Sequence, residues 1–440
     1  MLLTCVAVIA DNEMTSRALK QTPHECSCAI VGGGIHGTYL AQRLLADTSL
    51  DREDITIVDP NERLLASFRQ KARACGMTTL RSTFVHHLGT EPFGLERFAE
   101  DTGRTDELVP TVDYPARPSL ELFLDYADHL IDRKDLDAVH QQATVGSIQS
   151  RHDAPGVRLE TTMGPIDART CVLAIGHGDR YRLPAWARAT AGVEHVWDGF
   201  DPNADVDRTI VVGGGITAGQ LACALSETQS VTILSRHPIE WEVVEATPPW
   251  INWSHIEETL HAHPPGSTDR LAVIDDARHT ATIPPYFYDT FDDRLADGSL
   301  TIQQGEIESA RVTEDTVRLD IDDNSRSIAD RVVLATGFEP VFDHPFVERI
   351  ADDLGLARGA RGMPILDDET LAWERANGET TPLYVTGALA LGTVGPYAPN
   401  IPGARRAADR ITDAIDRLGG RPAMTQLREP TPGPGEGNSD

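Results

Sequence analysis

The stretch that decides the fold runs from Cys28 to Gly37 and reads Cys-Ala-Ile-Val-Gly-Gly-Gly-Ile-His-Gly. Its four leading apolar residues predict a buried β-strand, and the apolar spacing that follows predicts a helix directly after a glycine turn. Gly32, Gly34 and Gly37 therefore form the motif G-x-G-x-x-G in its required context. The first glycine permits the tight turn, the second lets backbone approach a pyrophosphate, and the third lets helix and strand pack closely.

The residues after this helix complete a dinucleotide-binding unit. Residues 55–59, Ile-Thr-Ile-Val-Asp, predict a second strand that ends in Asp59. An acid about 20 residues beyond the motif is the position that binds a ribose hydroxyl, and the helix start would face the phosphates with its positive dipole end. We therefore expect a dinucleotide site rather than a chance match.

The same unit occurs a second time. Residues 209–212 predict a strand, and Gly213, Gly215 and Ala218 then take the places of the three motif glycines. The next strand ends not in an acid but in Arg236 and its neighbours. A carboxylate there would repel a 2′-phosphate and an arginine would pair with it, so the pattern favours NADPH over NADH. An arginine that is merely exposed at a strand end is the alternative.

Two further apolar strands end in glycine turns, at Gly176 and at Gly337. Here the chain resembles the two-dinucleotide-binding flavoproteins, in which a strand ending in Ala-Thr-Gly marks each crossing between an FAD domain and an inserted NAD(P) domain. Residues 335–337 match that pattern, and residues 174–176 depart from it by one residue. The resemblance implies an α/β fold of two Rossmann-like dinucleotide-binding domains, with the NAD(P) domain inserted into the FAD domain.

The predicted organisation has five parts: an N-terminal extension (1–24), the first part of the FAD-binding domain (25–189), the NAD(P)H-binding domain (190–335), the second part of the FAD-binding domain (336–424) and a tail (425–440). The tail is rich in proline and glycine from Pro430 onward, which predicts disorder. Residues before Met14 fit no element, so Met14 is a candidate start beside Met1.

Within this group the chain is similar to the class B flavin-dependent monooxygenases, above all the lysine and ornithine N-hydroxylases. Residues 77–82 resemble the loop that passes the flavin ring in that branch, with Arg81 as a flavin contact. Gly387 ends a later strand, and Asn400 precedes a predicted helix whose start would point at the flavin. Ala388 stands where the group has an aspartate that binds the ribityl chain, which leaves that contact open.

This resemblance implies FAD and NADPH as cofactors and a C4a-hydroperoxyflavin that oxidises a small, amine-like substrate. It makes Arg81, His195 and Asn400 candidates for catalysis. The monooxygenase fingerprint is only partly present, because residues 192–195 are one residue short of its spacing. A reductase of a quinone or electron-transfer protein, without oxygen insertion, is therefore the alternative.

Two other classes are less favoured. A non-catalytic flavin-binding regulator needs no second dinucleotide domain. A disulfide reductase needs a redox-active C-x-x-C pair, and the sequence has none.

Histidines and tryptophans supply few further candidates. A single loop histidine is more often exposed or hydrogen-bonded than catalytic, which applies to His86, His87, His177 and His195. Adjacent histidines point apart, so we expect no metal site. Packing is the expected role of three tryptophans, rather than capping the nicotinamide or substrate: Trp241, Trp250 and Trp253.

The composition is strongly acidic. Among 440 residues, 68 acidic side chains outnumber 39 basic ones, which gives a net charge of -29. Such a surface disfavours nucleic acid and anionic lipid as partners and suits a high-salt cytoplasm, that is, a halophilic source. No apolar run is long enough to span a bilayer. We expect a cytoplasmic protein with a small-molecule substrate, and self-association stays open.

Overall fold

The computed structural model describes residues 23–188, 190–314 and 316–419. Most of the predicted N-terminal extension, Met14 and the predicted tail lie outside these residues. The described chain forms two separate sheets of mainly parallel strands, each covered by helices, so the predicted α/β fold class is confirmed.

The first sheet has eight strands: β1 (His24–Val31), β2 (Ile55–Asp59), β5 (His140–Gln142), β6 (Val145–Ser150), β7 (Val157–Thr161), β8 (Gly164–Leu173), β19 (Ala372–Glu374) and β20 (Thr380–Val385). Their order is β19-β20-β8-β1-β2-β5, and β6 and β7 extend it through β8. The strands β20, β8, β1, β2 and β5 run parallel. The sheet is thus built from two segments, residues 24–173 and residues 372–385, with the second sheet's strands between them in sequence.

The second sheet has five strands: β9 (Val193–His195), β10 (Arg208–Val212), β11 (Ser230–Ser235), β14 (Leu300–Gln304) and β18 (Arg331–Leu334). Their order is β14-β11-β10-β18-β9, and every neighbouring pair is parallel. All five strands lie between residues 193 and 334. The domain boundaries at 190 and 335 stay a prediction.

Shorter strands form three small sheets: β3 (Leu108–Thr111) with β4 (Tyr114–Pro118), β12 (Glu240–Trp241) with β13 (Thr282–Ile283), and β15 (Ile307–Thr313) with β16 (Thr316–Ile321) and β17 (Arg326–Ala329). The α-helices are α1 (Ile35–Asp47), α2 (Ala66–Ala74), α3 (Gly94–Asp101), α4 (Leu120–Lys134), α5 (Ile216–Leu225), α6 (Trp253–Thr259), α7 (Thr268–Ala277), α8 (Tyr288–Asp297), α9 (Pro345–Leu354), α10 (Leu391–Val394) and α11 (Ile401–Gly419).

The central strands carry continuous apolar runs because both faces of a parallel sheet are covered. In β1, Cys28, Ala29 and Ile30 are fully buried, and the end of β8 is buried in the same way. Burial raises the pKa of the Cys28 thiol to about 12, so this cysteine is an inert core residue.

The chain crosses between the two sheets twice, and the two crossings lie side by side. The backbone N–H of Arg182 donates to the carbonyl of Gly337 at 3.0 Å. The N–H of Glu339 donates to the carbonyl of Arg180 at 2.9 Å. The segments that follow the two predicted glycine turns, at Gly176 and Gly337, therefore pair with each other.

Candidate cofactor sites

The first glycine turn joins β1 to α1 and leaves space at its middle glycine. Gly32 has φ of +113°, and a methyl group on it would overlap the carbonyl of Ala174. A methyl group on Gly37 would overlap the carbonyl of Gly32, whereas one on Gly34 would meet no atom within 4 Å. Gly34 is also the N-cap of α1 and brings no side-chain cap, so N–H groups of the first turn remain for a ligand. This cradle fits a pyrophosphate.

Asp59 ends β2 beside that turn, as predicted. One carboxylate oxygen accepts the N–H of Gly33 at 2.7 Å, and the other accepts the N–H of Asn61 at 2.8 Å. These bonds hold the carboxylate at the edge of the cradle, where its remaining acceptor positions suit ribose hydroxyls.

His36, inside the first motif, links the cradle to the end of β20. Its Nδ1 lies 2.8 Å from the hydroxyl oxygen of Thr386. Burial lowers the pKa of His36 to about 4, which keeps the ring neutral at neutral pH. Gly387 follows with φ of +79°, and a methyl group on it would lie 3.8 Å from the His36 ring. The structure thus brings Gly387 to the first cradle, although its predicted flavin contact stays untested.

The second glycine turn, between β10 and α5, has the same backbone plan. Gly213 has φ of +144°, and a methyl group on it would approach the carbonyl oxygen of Ala335 to 2.5 Å. Gly215 is the N-cap of α5 and offers no side-chain cap. Ala218 is fully buried at the third position. A methyl group on Gly215, however, would lie 3.3 Å from the Cα atom of Ala281, so backbone of the chain covers this cradle.

Arg236 follows β11 directly and is exposed. Within the described residues its guanidinium forms no ion pair, and the neighbouring Ser235 hydroxyl accepts the N–H of His237 at 3.4 Å. The predicted 2′-phosphate partner is therefore a free cation at the expected strand end.

Arg81 reaches from the loop at residues 77–82 into the segment between β11 and α6. Its guanidinium donates to the carbonyls of Val243 at 2.9 Å and Glu242 at 2.7 Å, and to the Thr282 hydroxyl at 3.0 Å. The side chain is 9% exposed. These three acceptors tie Arg81 to the second sheet's side of the molecule, and a contact of Arg81 with flavin stays a prediction.

The start of α11 contacts the same segment. Asn400 stands at the position before the helix, and its side-chain nitrogen donates to Glu245 at 3.2 Å. The Tyr397 hydroxyl donates to the carbonyl of Ala246. Arg406 donates to the carbonyl of Ile251 at 2.8 Å. Residues 242–251 are therefore held by both the Arg81 loop and the helix predicted to face the flavin.

Two of the candidate histidines lie near the crossings, His195 buried and His177 half-buried. His195 ends β9, is 2% exposed and stacks on Tyr181 with ring centroids 4.7 Å apart. His177 stacks on Phe338 at 4.3 Å. Burial lowers the pKa of each histidine to about 4. A catalytic part for His195 stays a prediction, and these surroundings favour a neutral packing residue.

His86 and His87 lie in the loop after Arg81. His87 is fully buried, and its Nδ1 accepts the N–H of Gly89 at 2.9 Å. Burial lowers the pKa of His87 to about 3. Across the described residues, no group of three or more His, Cys, Asp or Glu side chains is arranged to hold a metal ion.

The tryptophans contribute to packing. Trp250 is 6% exposed and shares an apolar cluster with Tyr397. Trp241 stacks on Tyr288 at 4.1 Å, and the Arg410 guanidinium lies 4.2 Å from the Trp253 ring.

One junction carried no sequence signal. Arg270 in α7 is fully buried and pairs with Asp368 through two bonds of 2.7 and 2.6 Å. It also donates to the carbonyl of Gly392 at 3.0 Å. These bonds fasten α7 to the loop before β19 and to α10, and no motif marks Arg270 or Asp368.

Comparisons with known proteins agree with this geometry. Residues 29–178 match the model of a family described as FAD-NAD(P)-binding. A search of curated protein sequences finds no match. Within the described residues, no helix is long and apolar enough to cross a membrane.

Solved structures with the same fold include two amine hydroxylases. Ornithine hydroxylase (PvdA) from Pseudomonas aeruginosa aligns with a TM-score of 0.70 at 15% identity, covering 90% of this chain and 100% of that one. DfoA, the cadaverine monooxygenase of Erwinia amylovora bound to FAD, aligns with a TM-score of 0.68 at 16% identity, covering 93% and 99%.

A reductase shares the fold as well. Bacillithiol disulfide reductase Bdr (YpdA) from Bacillus cereus aligns with a TM-score of 0.58 at 18% identity, covering 90% of this chain and 99% of that one. The predicted resemblance is confirmed at the level of the fold: residues 29–178 match the FAD-NAD(P)-binding family, and the chain has the two-domain flavoprotein fold of these hydroxylases and this reductase.

Proposed function

We propose that the protein is an FAD-dependent, NADPH-using oxidoreductase that hydroxylates the nitrogen of a small amine. The observation that carries the proposal is a pair of glycine cradles, one on each parallel sheet, in a fold shared with ornithine and cadaverine hydroxylases. Two dinucleotide sites in one chain suit hydride transfer from a nicotinamide to a flavin.

The first cradle would hold FAD. Gly32, Gly34 and Gly37 would surround the pyrophosphate, and Asp59 would bind the ribose. Gly176, Gly387 and the start of α11 behind Asn400 would flank the rest of the cofactor, where the positive helix end favours negative charge on the reduced ring. When bound, FAD supplies hydride acceptance and electron transfer to oxygen, which no side chain supplies.

The second cradle would hold NADPH. Gly213, Gly215 and Ala218 would receive the pyrophosphate, Arg236 the 2′-phosphate, and the turn at Gly337 would border the junction. Residues 242–251, docked through Arg81 and Asn400, would exclude water from the space between the cofactors.

The test follows the balance NADPH + H⁺ + O₂ + amine → NADP⁺ + H₂O + hydroxylamine. Purified holoenzyme is given NADPH, oxygen and a panel of ornithine, lysine and cadaverine. We expect hydroxylamine to form in proportion to the NADPH consumed for at least one amine. Hydrogen peroxide in amounts equal to the NADPH consumed, with no hydroxylamine, would contradict the hydroxylase proposal.

The second candidate is a flavoprotein reductase of a quinone or electron-transfer protein. The incomplete fingerprint at residues 192–195 and the fold shared with Bdr favour it. Anaerobic turnover of NADPH with a quinone, faster than the aerobic reaction with every amine tested, would select this function.

We also propose that the protein works in a salt-rich cytoplasm, because its net charge of -29 needs screening. The free energy of unfolding should rise between low and molar KCl. No gain across that range would contradict the proposal.

A further inference from the structure

Resting on the proposed use of NADPH, we propose that residues 278–283 form a strap over the second glycine cradle, and that the dinucleotide must lift this strap to bind. Ala281 of the strap has its Cα atom 3.3 Å from where a methyl group on Gly215 would lie. That is the space through which a pyrophosphate approaches the middle glycine of the motif. At the equivalent Gly34 the space is open.

The strap is under local strain at the point of contact. Ala281 has φ of +56°, in the left-handed region, which is unfavourable for a residue with a Cβ atom. Thr280 and Ala281 are exposed, so this part can move outward without leaving a core. The strain favours release once a ligand competes for the cradle.

Both ends of the strap are anchored to residues 240–246, and the exposed tip at Thr280 and Ala281 lies between these anchors. Thr282 and Ile283 pair with β12 over two residues, and Ile283 packs on α5 beside Gly219. On the other side, His279 donates its N–H to the Glu245 carbonyl at 2.8 Å, its Nδ1 lies 3.2 Å from the Val244 carbonyl oxygen, and Arg278 forms a β-bridge with Ala246. Opening would therefore bend the exposed tip and break the short pairing of two residues with β12, while the anchors at Arg278 and His279 stay in place.

Arg81 latches the strap to the first sheet's side of the molecule. Its guanidinium donates to the Thr282 hydroxyl at 3.0 Å and to the carbonyls of Glu242 and Val243 in the strap's partner segment. Lifting Thr282 breaks the first of these bonds. Arrival of NADPH at the second cradle would therefore release one arm of Arg81, whose loop is predicted to pass the flavin.

The test compares two variants of the holoenzyme. Thr282→Val removes the hydroxyl that Arg81 reaches and keeps the side-chain shape. Thr280→Val removes a hydroxyl from the same strap that makes no bond with Arg81. Since apparent affinity scales with the fraction of open protein, Thr282→Val should bind NADP⁺ about three- to tenfold more tightly than wild type. Thr280→Val should stay within about twofold.

Hydrogen exchange supplies a readout independent of turnover. Saturating NADP⁺ should speed amide exchange in peptides covering residues 278–283 and slow it in the turn at residues 213–218. Tight binding of NADP⁺ by wild type, with slower strap exchange and equal affinities in both variants, would overturn the strap and leave the proposed function standing. Absence of binding by wild type and both variants would overturn the strap together with the proposed use of NADPH.

Discussion

The two glycine turns share one backbone plan and differ in what surrounds the middle glycine. In both, the first glycine has positive φ and sits against the carbonyl at the end of a neighbouring strand. Gly34 faces open space, whereas Gly215 faces the backbone of Ala281. The difference shows that a motif predicts the turn, while residues distant in sequence decide whether the cradle is open to a ligand.

A substitution at the third glycine of the first motif should have the largest effect on FAD binding and on stability. Gly37→Ala places a methyl group on the carbonyl of Gly32, so we expect loss of bound FAD and destabilisation of about 3 kcal/mol. The matched change at the second turn, Ala218→Gly, should cost no more than about 1 kcal/mol. Flavin absorbance and thermal unfolding measure both. Equal effects at the two turns would break the comparison.

The next largest difference should be between the residues that end the second strand of each unit, Asp59 and Ser235, in their effect on FAD affinity. Asp59→Ala removes the acceptor of two backbone N–H groups and the proposed ribose contact, and we expect FAD affinity to fall at least about tenfold. Ser235→Ala, at the equivalent strand end, should leave FAD affinity unchanged. Flavin titration of the apoprotein decides, and unaltered affinity in Asp59→Ala would remove that residue from the site.

The cation after β11 should set the choice of nicotinamide. In Arg236→Ala, the rate of flavin reduction by NADPH at a low cofactor concentration should fall about tenfold, because the 2′-phosphate loses its cationic partner. The rate with NADH should not change. Arg326→Ala, at an exposed arginine of β17, is the control and should change neither rate. Equal use of the two cofactors by wild type would refute the assignment.

Acid should lower the free energy of unfolding through the first glycine turn more than through the second, because only the first turn contains a buried histidine, His36. At neutral pH this effect should be smallest. The pKa of His36 is lowered to about 4 in the folded protein, against an ordinary value of 6.5. Between those values only the unfolded chain takes up the proton, so stability is lost as pH falls, by at most about 1.4 kcal/mol per pH unit.

His36→Thr copies Thr217 of the second turn and should flatten the loss of unfolding free energy between about pH 6.5 and pH 4. His237→Thr, at an exposed histidine, is the control. An unchanged slope in His36→Thr would show that other buried groups carry the acid sensitivity.

Local patterns predicted most of the fold. Glycine spacing placed both turns, and apolar runs placed β1, β2, β10 and β11, because neighbouring residues suffice to specify a strand–turn–helix unit. Contacts across the junction had no such signal. No local pattern indicates that Arg81, whose flavin contact stays a prediction, binds the carbonyl of Val243. The pair of Arg270 with Asp368 likewise depends on how separate segments meet in space. The same holds for Ala281 over Gly215.

The most direct test of the central claim, that each turn serves its own dinucleotide, is anaerobic reduction of the purified holoenzyme in a stopped-flow spectrometer. We predict that the protein is isolated with FAD and that NADPH bleaches the flavin absorbance faster than NADH. Protein that neither holds nor takes up FAD, or bound flavin that neither nicotinamide reduces, would contradict the account.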